Sequence, residues 1–120
     1  MNITVIGTGY VGLTSGAMFA ELGHRVTCVD KDKDKVKMLK KGRVPFYEPG
    51  LDNLVQKHLG ENLKFTTGLG SAGRAKAIMV AVGTPPAKDG SPDLGFVLEV
   101  ALQQFGPEFL FQDLQLFGYR

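Results

Sequence analysis

Three glycines, at positions 7, 9 and 12, and an aspartate at position 30 are the residues of this sequence whose types and spacing carry chemistry. Gly7-Thr8-Gly9-Tyr10-Val11-Gly12 is a G-x-G-x-x-G loop that follows the apolar run Ile3-Thr4-Val5-Ile6 and opens an Ala- and Leu-containing segment. In a strand-to-helix turn of this kind the first glycine permits the tight turn. The second lets the backbone approach a pyrophosphate, and the third allows the helix to lie close to the strand. A pyrophosphate would rest on the helix N-terminus, where unpartnered amides and the positive end of the helix dipole attract an anion without a basic side chain. A glycine-rich string by itself also fits a plain turn, so its neighbours must decide between the two.

The deciding neighbour is Asp30. Arg25-Val26-Thr27-Cys28-Val29 is β-branched and apolar and reads as a second strand that ends in this aspartate, eighteen positions after Gly12. A carboxylate about 20 residues past the glycine loop, at the end of the second strand of a βαβ unit, can accept the ribose hydroxyls of an adenosine. It would also repel a 2′-phosphate, which favours NAD over NADP. The competing reading is a surface aspartate that caps the next helix. Lys35 lies within reach of the same adenosine side.

The elements that must position these groups follow from periodicity. Residues 10–22 read as a helix with Val11, Ser15, Met18 and Leu22 at helical spacing, stopped by Gly23 as a C-cap. Gly16 in mid-helix costs about 1 kcal/mol against alanine, and it reads as a point of close contact with the sheet. Lys31, Lys33, Lys35, Lys37, Lys40, Lys41 and Arg43 form a basic run. Asp32 and Asp34 dilute it, Val36 and Leu39 give it an apolar stripe, and no aromatic interleaves, so it reads as the solvated face of a short helix ended by Gly42 rather than a nucleic-acid patch. Residues 44–51 read as an ordered loop feeding a helix with Leu51, Leu54, Val55, His58 and Leu59 on one side and Gly60 as its stop. His58 and His24 read as half-exposed residues with no catalytic partner signalled nearby.

Leu63 to Thr67 reads as a third strand, followed by a glycine-rich turn at 68–73. Ala77 to Val82 is continuous and apolar, the pattern of a strand buried on both faces of a parallel sheet. Gly83-Thr84-Pro85-Pro86 follows at its carboxyl end, where ligands bind in open α/β sheets, and Thr84 offers a hydroxyl there. A turn at 89–93 and a helix at 94–104, with Asp93 as N-cap, complete the alternation. Strands alternating with helices from the first residue predict an α/β fold with a Rossmann-type doubly wound parallel sheet. With about four strands it is incomplete, and residues 105–120 could supply at most one more.

Composition fits one ordinary globular domain: 120 residues, 43% hydrophobic and 22% charged. A single cysteine, Cys28, excludes an intrachain disulfide. No long apolar run or signal-peptide pattern is present, so the expectation is a cytoplasmic protein with no membrane partner. Charge is unevenly spread, since residues 1–88 carry thirteen Lys/Arg against seven acids and residues 89–120 one Arg against five acids. Four of the five glutamines and four of the eight phenylalanines fall in the last 18 residues. The reading is therefore a partial NAD-binding domain at 1–104 and a divergent tail at 105–120.

Four motifs in order, Gly7 to Gly12, Tyr47-Glu48-Pro49-Gly50-Leu51, Ala81-Val82-Gly83-Thr84-Pro85 and Asp89-Gly90-Ser91-Pro92-Asp93-Leu94, make residues 1–100 resemble the UDP-glucose/GDP-mannose dehydrogenase family. The resemblance implies an NAD-dependent, two-step oxidation of the C6 hydroxyl of a nucleotide sugar such as UDP-glucose to a carboxylate. It implies that Gly7, Gly9, Tyr10, Val11, Gly12, Asp30, Lys35 and Thr84 contact NAD. The family's cysteine nucleophile, lysine and aspartate belong to later motifs, so no catalytic residue is assigned here and the chain alone is expected to be inactive. Cys28 cannot replace the nucleophile, because it lies within a strand with nothing to lower its pKa. Pro107-Glu108-Phe109-Leu110 resembles the stretch that lines the family's substrate pocket, which makes Glu108, Phe109 and Leu110 the candidate substrate contacts. It follows Asp93 too closely for the family's spacing, so either an intervening piece is lost or four residues coincide. Two other readings stay open: a non-catalytic module that binds NAD or pairs with a full-length dehydrogenase through its unfinished sheet edge, and another NAD-linked reductase. Glu48-Pro49-Gly50-Leu51 speaks against the last. A homo-oligomer is a further expectation.

Overall fold

The computed structural model describes residues 1–68, 70 and 75–81. Within them the chain forms β1 (Asn2–Ile6), α1 (Tyr10–Glu21), β2 (Arg25–Val29), α2 (Lys33–Lys40), α3 (Leu51–His58), β3 (Leu63–Thr66) and β4 (Ala77–Val80). The strands make one parallel sheet in the order β3-β2-β1-β4. From β1 the chain moves outward through β2 to β3 and then returns to the far side of β1 with β4. That reversal falls between β1 and β4, and open α/β sheets bind ligands at the carboxyl ends of the strands where the order reverses. The glycine loop leaves β1 at that end, and Ala81, just past β4, donates its amide to Ile6 O at 2.7 Å.

β1 is flanked on both sides, and its Ile3, Thr4, Val5 and Ile6 are all buried. Ile3 and Val5 join Leu13 and Ala17 of α1, Val26 and Cys28 of β2, Val36 and Leu39 of α2, Leu51 and Val55 of α3, and Leu63 and Phe65 of β3 in one core. α2 buries Val36 and Leu39 and leaves the lysines other than Lys35 exposed, as its sequence predicts. Asp32, read from sequence only as diluting the basic run, caps it by accepting from the amides of Asp34 and Lys35. α3 likewise buries Leu51 and Val55. β4, at one edge of the four described strands, is less enclosed than its apolar run predicts. Ala77 is exposed and Ile78, Met79 and Val80 are half-buried.

The orientation of α1 departs from the periodicity reading. Val11, Met18 and Leu22, assigned to the apolar face, are 59%, 48% and 70% exposed, whereas Gly12, Leu13, Gly16, Ala17 and Ala20 are buried. The reason is distance. A Cβ on Gly12 would overlap the carbonyl oxygen of Gly7, and one on Gly16 would lie 2.7 Å from Cys28 Sγ. The helix comes this close to the sheet only through its small residues, so its bulky ones turn outward. At its end the amides of Gly23 and His24 donate to Ala20 O and Phe19 O, with Gly23 at φ 97°. This paired closure satisfies carbonyls that the helix leaves open, and it needs the left-handed conformation that glycine adopts freely.

The contact between Gly16 and Cys28 yields a measurable coupling. Gly16→Ala is expected to destabilise the domain by about 1–3 kcal/mol through overpacking, despite alanine's higher helix propensity. In a Cys28→Ala background the same change should cost less or become favourable. Urea denaturation of the four proteins in this double-mutant cycle reads the coupling, and additive effects would contradict the assigned contact.

Candidate functional site

The site is assembled from the carboxyl ends of β1 and β2. Gly7 turns the chain out of β1 at φ 101°, a left-handed conformation that suits glycine, and its amide donates to Val29 O at 2.7 Å. Gly9 is the N-cap of α1 and contributes no side-chain cap, and no acid lies in the first helical turn. The first amides of the helix therefore meet neither a capping side chain nor an acid of the helix's own first turn. The three glycines have different reasons to be glycine. Gly7 and Gly12 are required by the protein's own backbone, whereas a Cβ on Gly9 would meet nothing within 4 Å. The open space over Gly9 is the room a close-lying pyrophosphate needs, so the loop fits a dinucleotide.

Asp30 stands at the end of β2 and turns its carboxylate toward the loop. Oδ2 accepts from the Thr8 amide at 3.0 Å and from the Thr8 hydroxyl at 2.6 Å, and Lys35 Nζ lies 3.5 Å away. Oδ1 accepts from the Asp32 amide at 3.0 Å. Partial burial pushes the Asp30 carboxyl upward, but the hydrogen bonds from the Thr8 hydroxyl and the Asp32 and Thr8 amides, with the nearby Lys35 charge, outweigh it and hold the group below its ordinary value. Asp32, and not Asp30, caps α2. Thr8 was not among the residues singled out from sequence. It is buried at 1% exposure, and its signal was a hydroxyl-bearing residue between two glycines with an acid at the end of the following strand.

Tyr10 and Val11 flank the loop at 56% and 59% exposure. The Tyr10 ring meets Phe46 edge-on at 5.8 Å between centroids. The Glu48 charge beside it, and a hydrogen bond to that carboxylate, raise the tyrosine hydroxyl above its usual pKa. The loop at 44–51 thus reaches the glycine turn through Phe46 and Glu48, while Tyr47 is 90% exposed. The structure brings Gly7, Gly9, Tyr10, Val11, Gly12, Asp30 and Lys35 to one end of the sheet. Thr84, Glu108, Phe109 and Leu110 lie outside the described residues.

The remaining titratable candidates serve the scaffold. Cys28 is fully buried, and desolvation pushes its thiol up to about 12, so it is no thiolate at neutral pH. His58 has a carboxylate partner after all: Nε2 lies 3.0 Å from Glu21 Oε2 and Nδ1 3.0 Å from Asn62 Oδ1. Glu21, which also pairs with Lys57 at 2.8 Å, is 37 positions away in sequence, and the group braces the C-terminus of α1 against α3. Among the described residues no three His, Cys, Asp or Glu side chains cluster as a metal site, and no helix is long and apolar enough to cross a membrane.

A parallel sheet that carries a glycine turn at the end of β1 and an oriented carboxylate at the end of β2 defines a dinucleotide-binding domain of Rossmann type. The family model described as the UDP-glucose/GDP-mannose dehydrogenase family, NAD binding domain, matches residues 1–106, and the chain belongs to this family. Its cofactor is NAD. The UDP-glucose 6-dehydrogenase TuaD of Bacillus subtilis is 52% identical over 102 residues, 83% of this chain and 22% of the relative. The UDP-glucose 6-dehydrogenase of Rhizobium meliloti is 50% identical over 104 residues, 84% of this chain and 24% of the relative. The chain therefore spans about a quarter of the length of these relatives. Among solved structures, a ternary complex of GDP-mannose dehydrogenase from Pseudomonas aeruginosa superposes with a TM-score of 0.78 at 33% identity, covering 88% of this chain and 25% of that one. A UDP-glucose dehydrogenase from Pyrobaculum islandicum gives 0.75 at 41% identity, covering 83% and 24%.

The depressed Asp30 carboxyl fixes the sign of one pH effect. A group whose folded pKa lies below its unfolded value of about 3.9 contributes stability that is complete above that value and is lost as pH falls through the folded one. Wild type is expected to exceed Asp30→Asn in urea midpoint at pH 7, and the gap should narrow progressively below pH 4. A gap that stays constant down to pH 2 would contradict the assigned ionisation.

Proposed function

We propose that this chain is the coenzyme-binding part of a nucleotide-sugar dehydrogenase that oxidises UDP-glucose to UDP-glucuronate. The observation that carries the reading is the Asp30 carboxylate, oriented by Thr8 beside the glycine loop at the carboxyl end of a parallel sheet. In this reading the amides at the start of α1 hold the pyrophosphate, Gly9 leaves room for its approach, and Asp30 accepts from the adenosine ribose. Val11 and Tyr10 offer apolar surface at the mouth of the loop, Lys35 keeps a positive charge beside Asp30, and Thr84 is assigned to NAD by the family resemblance alone. NAD supplies a hydride acceptor. The UDP-glucose named for the relatives in Bacillus subtilis and Rhizobium meliloti supports the choice of sugar.

Oxidation of an alcohol to the acid level in this family requires a thiolate to trap the aldehyde before the second hydride leaves. The sequence holds one cysteine, and it is buried and protonated. The 120-residue chain is therefore expected to bind NAD without turning over UDP-glucose. Its substrate contacts at Glu108, Phe109 and Leu110, and pairing with further copies, belong to the same proposal.

The glycine loop gives the sharpest test, because Gly9 and Gly12 should fail in different ways. Gly9→Ala keeps an accessible backbone, φ −72° and ψ −167°, and should leave thermal stability within about 1 kcal/mol of wild type. It should nevertheless weaken NADH binding, followed by nicotinamide fluorescence, by tenfold or more. Gly12→Ala should lower stability itself, since its methyl group meets the Gly7 carbonyl. Asp30→Ala should weaken NADH binding as strongly as Gly9→Ala. Wild-type NADH affinity in both Gly9→Ala and Asp30→Ala would refute the site.

A further inference from the structure

We propose that Thr8 is a positioning residue for coenzyme recognition, whose hydroxyl holds the Asp30 carboxylate in one orientation and leaves a single acceptor position on it for the ribose. The inference deepens the dinucleotide reading above and rests on it. A carboxylate offers about four acceptor positions, two on each oxygen. Thr8 fills both on Oδ2, through its amide at 3.0 Å and its hydroxyl at 2.6 Å, with Lys35 Nζ further off at 3.5 Å. The Asp32 amide takes one on Oδ1, at 3.0 Å. Among the described residues one position on Oδ1 remains. Asp30 therefore meets a ligand hydroxyl with a fixed oxygen and does not have to rotate on binding.

Nothing else among the described residues accounts for a hydroxyl at position 8. Among the described residues no residue other than glycine has a positive φ, so Thr8 does not owe its type to a strained turn. A valine would fill the same volume. The threonine is buried at 1% exposure, and the hydrogen bond to Asp30 is what satisfies its polar atom in a place where an unpaired hydroxyl is costly. A charge-assisted hydrogen bond of this length is stronger than a neutral one. It ties the first strand's turn to the second strand's end before any ligand arrives.

The test uses the whole 120-residue chain and NADH titrations of wild type, Thr8→Ser, Thr8→Val, Asp30→Asn and the Thr8→Val/Asp30→Asn pair, with the Asp30 carboxyl carbon followed by NMR against pH. Thr8→Ser should bind NADH within about twofold of wild type. Thr8→Val should lose about tenfold, the scale of one hydrogen bond to a charged group, and the Asp30 titration should move to higher pH. In the Asp30→Asn background Thr8→Val should add almost nothing. The inference is overturned if Thr8→Val binds as wild type while Asp30→Asn is weak, if Thr8→Ser falls as far as Thr8→Val, or if the Asp30 titration does not move. Retention of wild-type affinity by Asp30→Asn would instead overturn the dinucleotide reading itself. Should Thr8→Val fail to fold, the Thr8 hydroxyl proton of wild type decides. Slow exchange that disappears as Asp30 is protonated supports the tie, and rapid exchange at neutral pH overturns it.

Discussion

The close approach of α1 to the sheet is the constraint on which the rest of this structure depends. At Gly12 the helix backbone lies against the Gly7 carbonyl, and at Gly16 it lies against Cys28 Sγ, so the helix contributes no side chain of its own at either point. This contact fixes where the helix begins, and so where its N-terminal amides point. The cost is a helix with two glycines in its body, each unfavourable by about 1 kcal/mol relative to alanine. The return is a core in which Leu13, Ala17 and Ala20 sit directly on Val5, Val26 and Cys28.

Electrostatics complete what that geometry begins. The turn between β1 and α1 carries no charge of its own, and an anion there is met by backbone dipoles alone. Of the nearby carboxylates, Asp30 is already bound by Thr8, the Asp32 amide and Lys35, and Glu48 by the Tyr10 hydroxyl. Separation of the two anion-related functions, backbone for a pyrophosphate and an oriented carboxylate for a ribose, lets one short turn treat two parts of a dinucleotide differently. Farther away, Glu21, Lys57, His58 and Asn62 fasten α1 to α3 and keep the helix from drifting off the sheet.

Much of the scaffold was legible because it obeys local rules. Glycine closed α1, Val36 and Leu39 faced inward, and short β-branched runs became strands. The acid at position 30 was recognisable from its distance to the glycine loop and its place at a strand end. Three features were not legible in the same way. The stripe Val11, Met18 and Leu22 is apolar yet exposed, since hydrophobicity cannot report that a helix must approach through its smallest residues. The enclosure expected for β4 depended on neighbours that an apolar run does not specify. The partner of His58 sits 37 positions away, beyond any local pattern.

By itself, the sequence determined the order of elements, the parallel α/β class, the glycine turn and the identity of the acid, because strand and helix periodicity, turn chemistry and charge are written in neighbouring residues. Only the tertiary structure decided which face of α1 is buried, that Gly9 faces open space while Gly12 does not, and that Thr8 is bound to Asp30. Those facts depend on distances between segments brought together by the sheet, and the two oxygens that share a proton at 2.6 Å are separated by 22 positions along the chain.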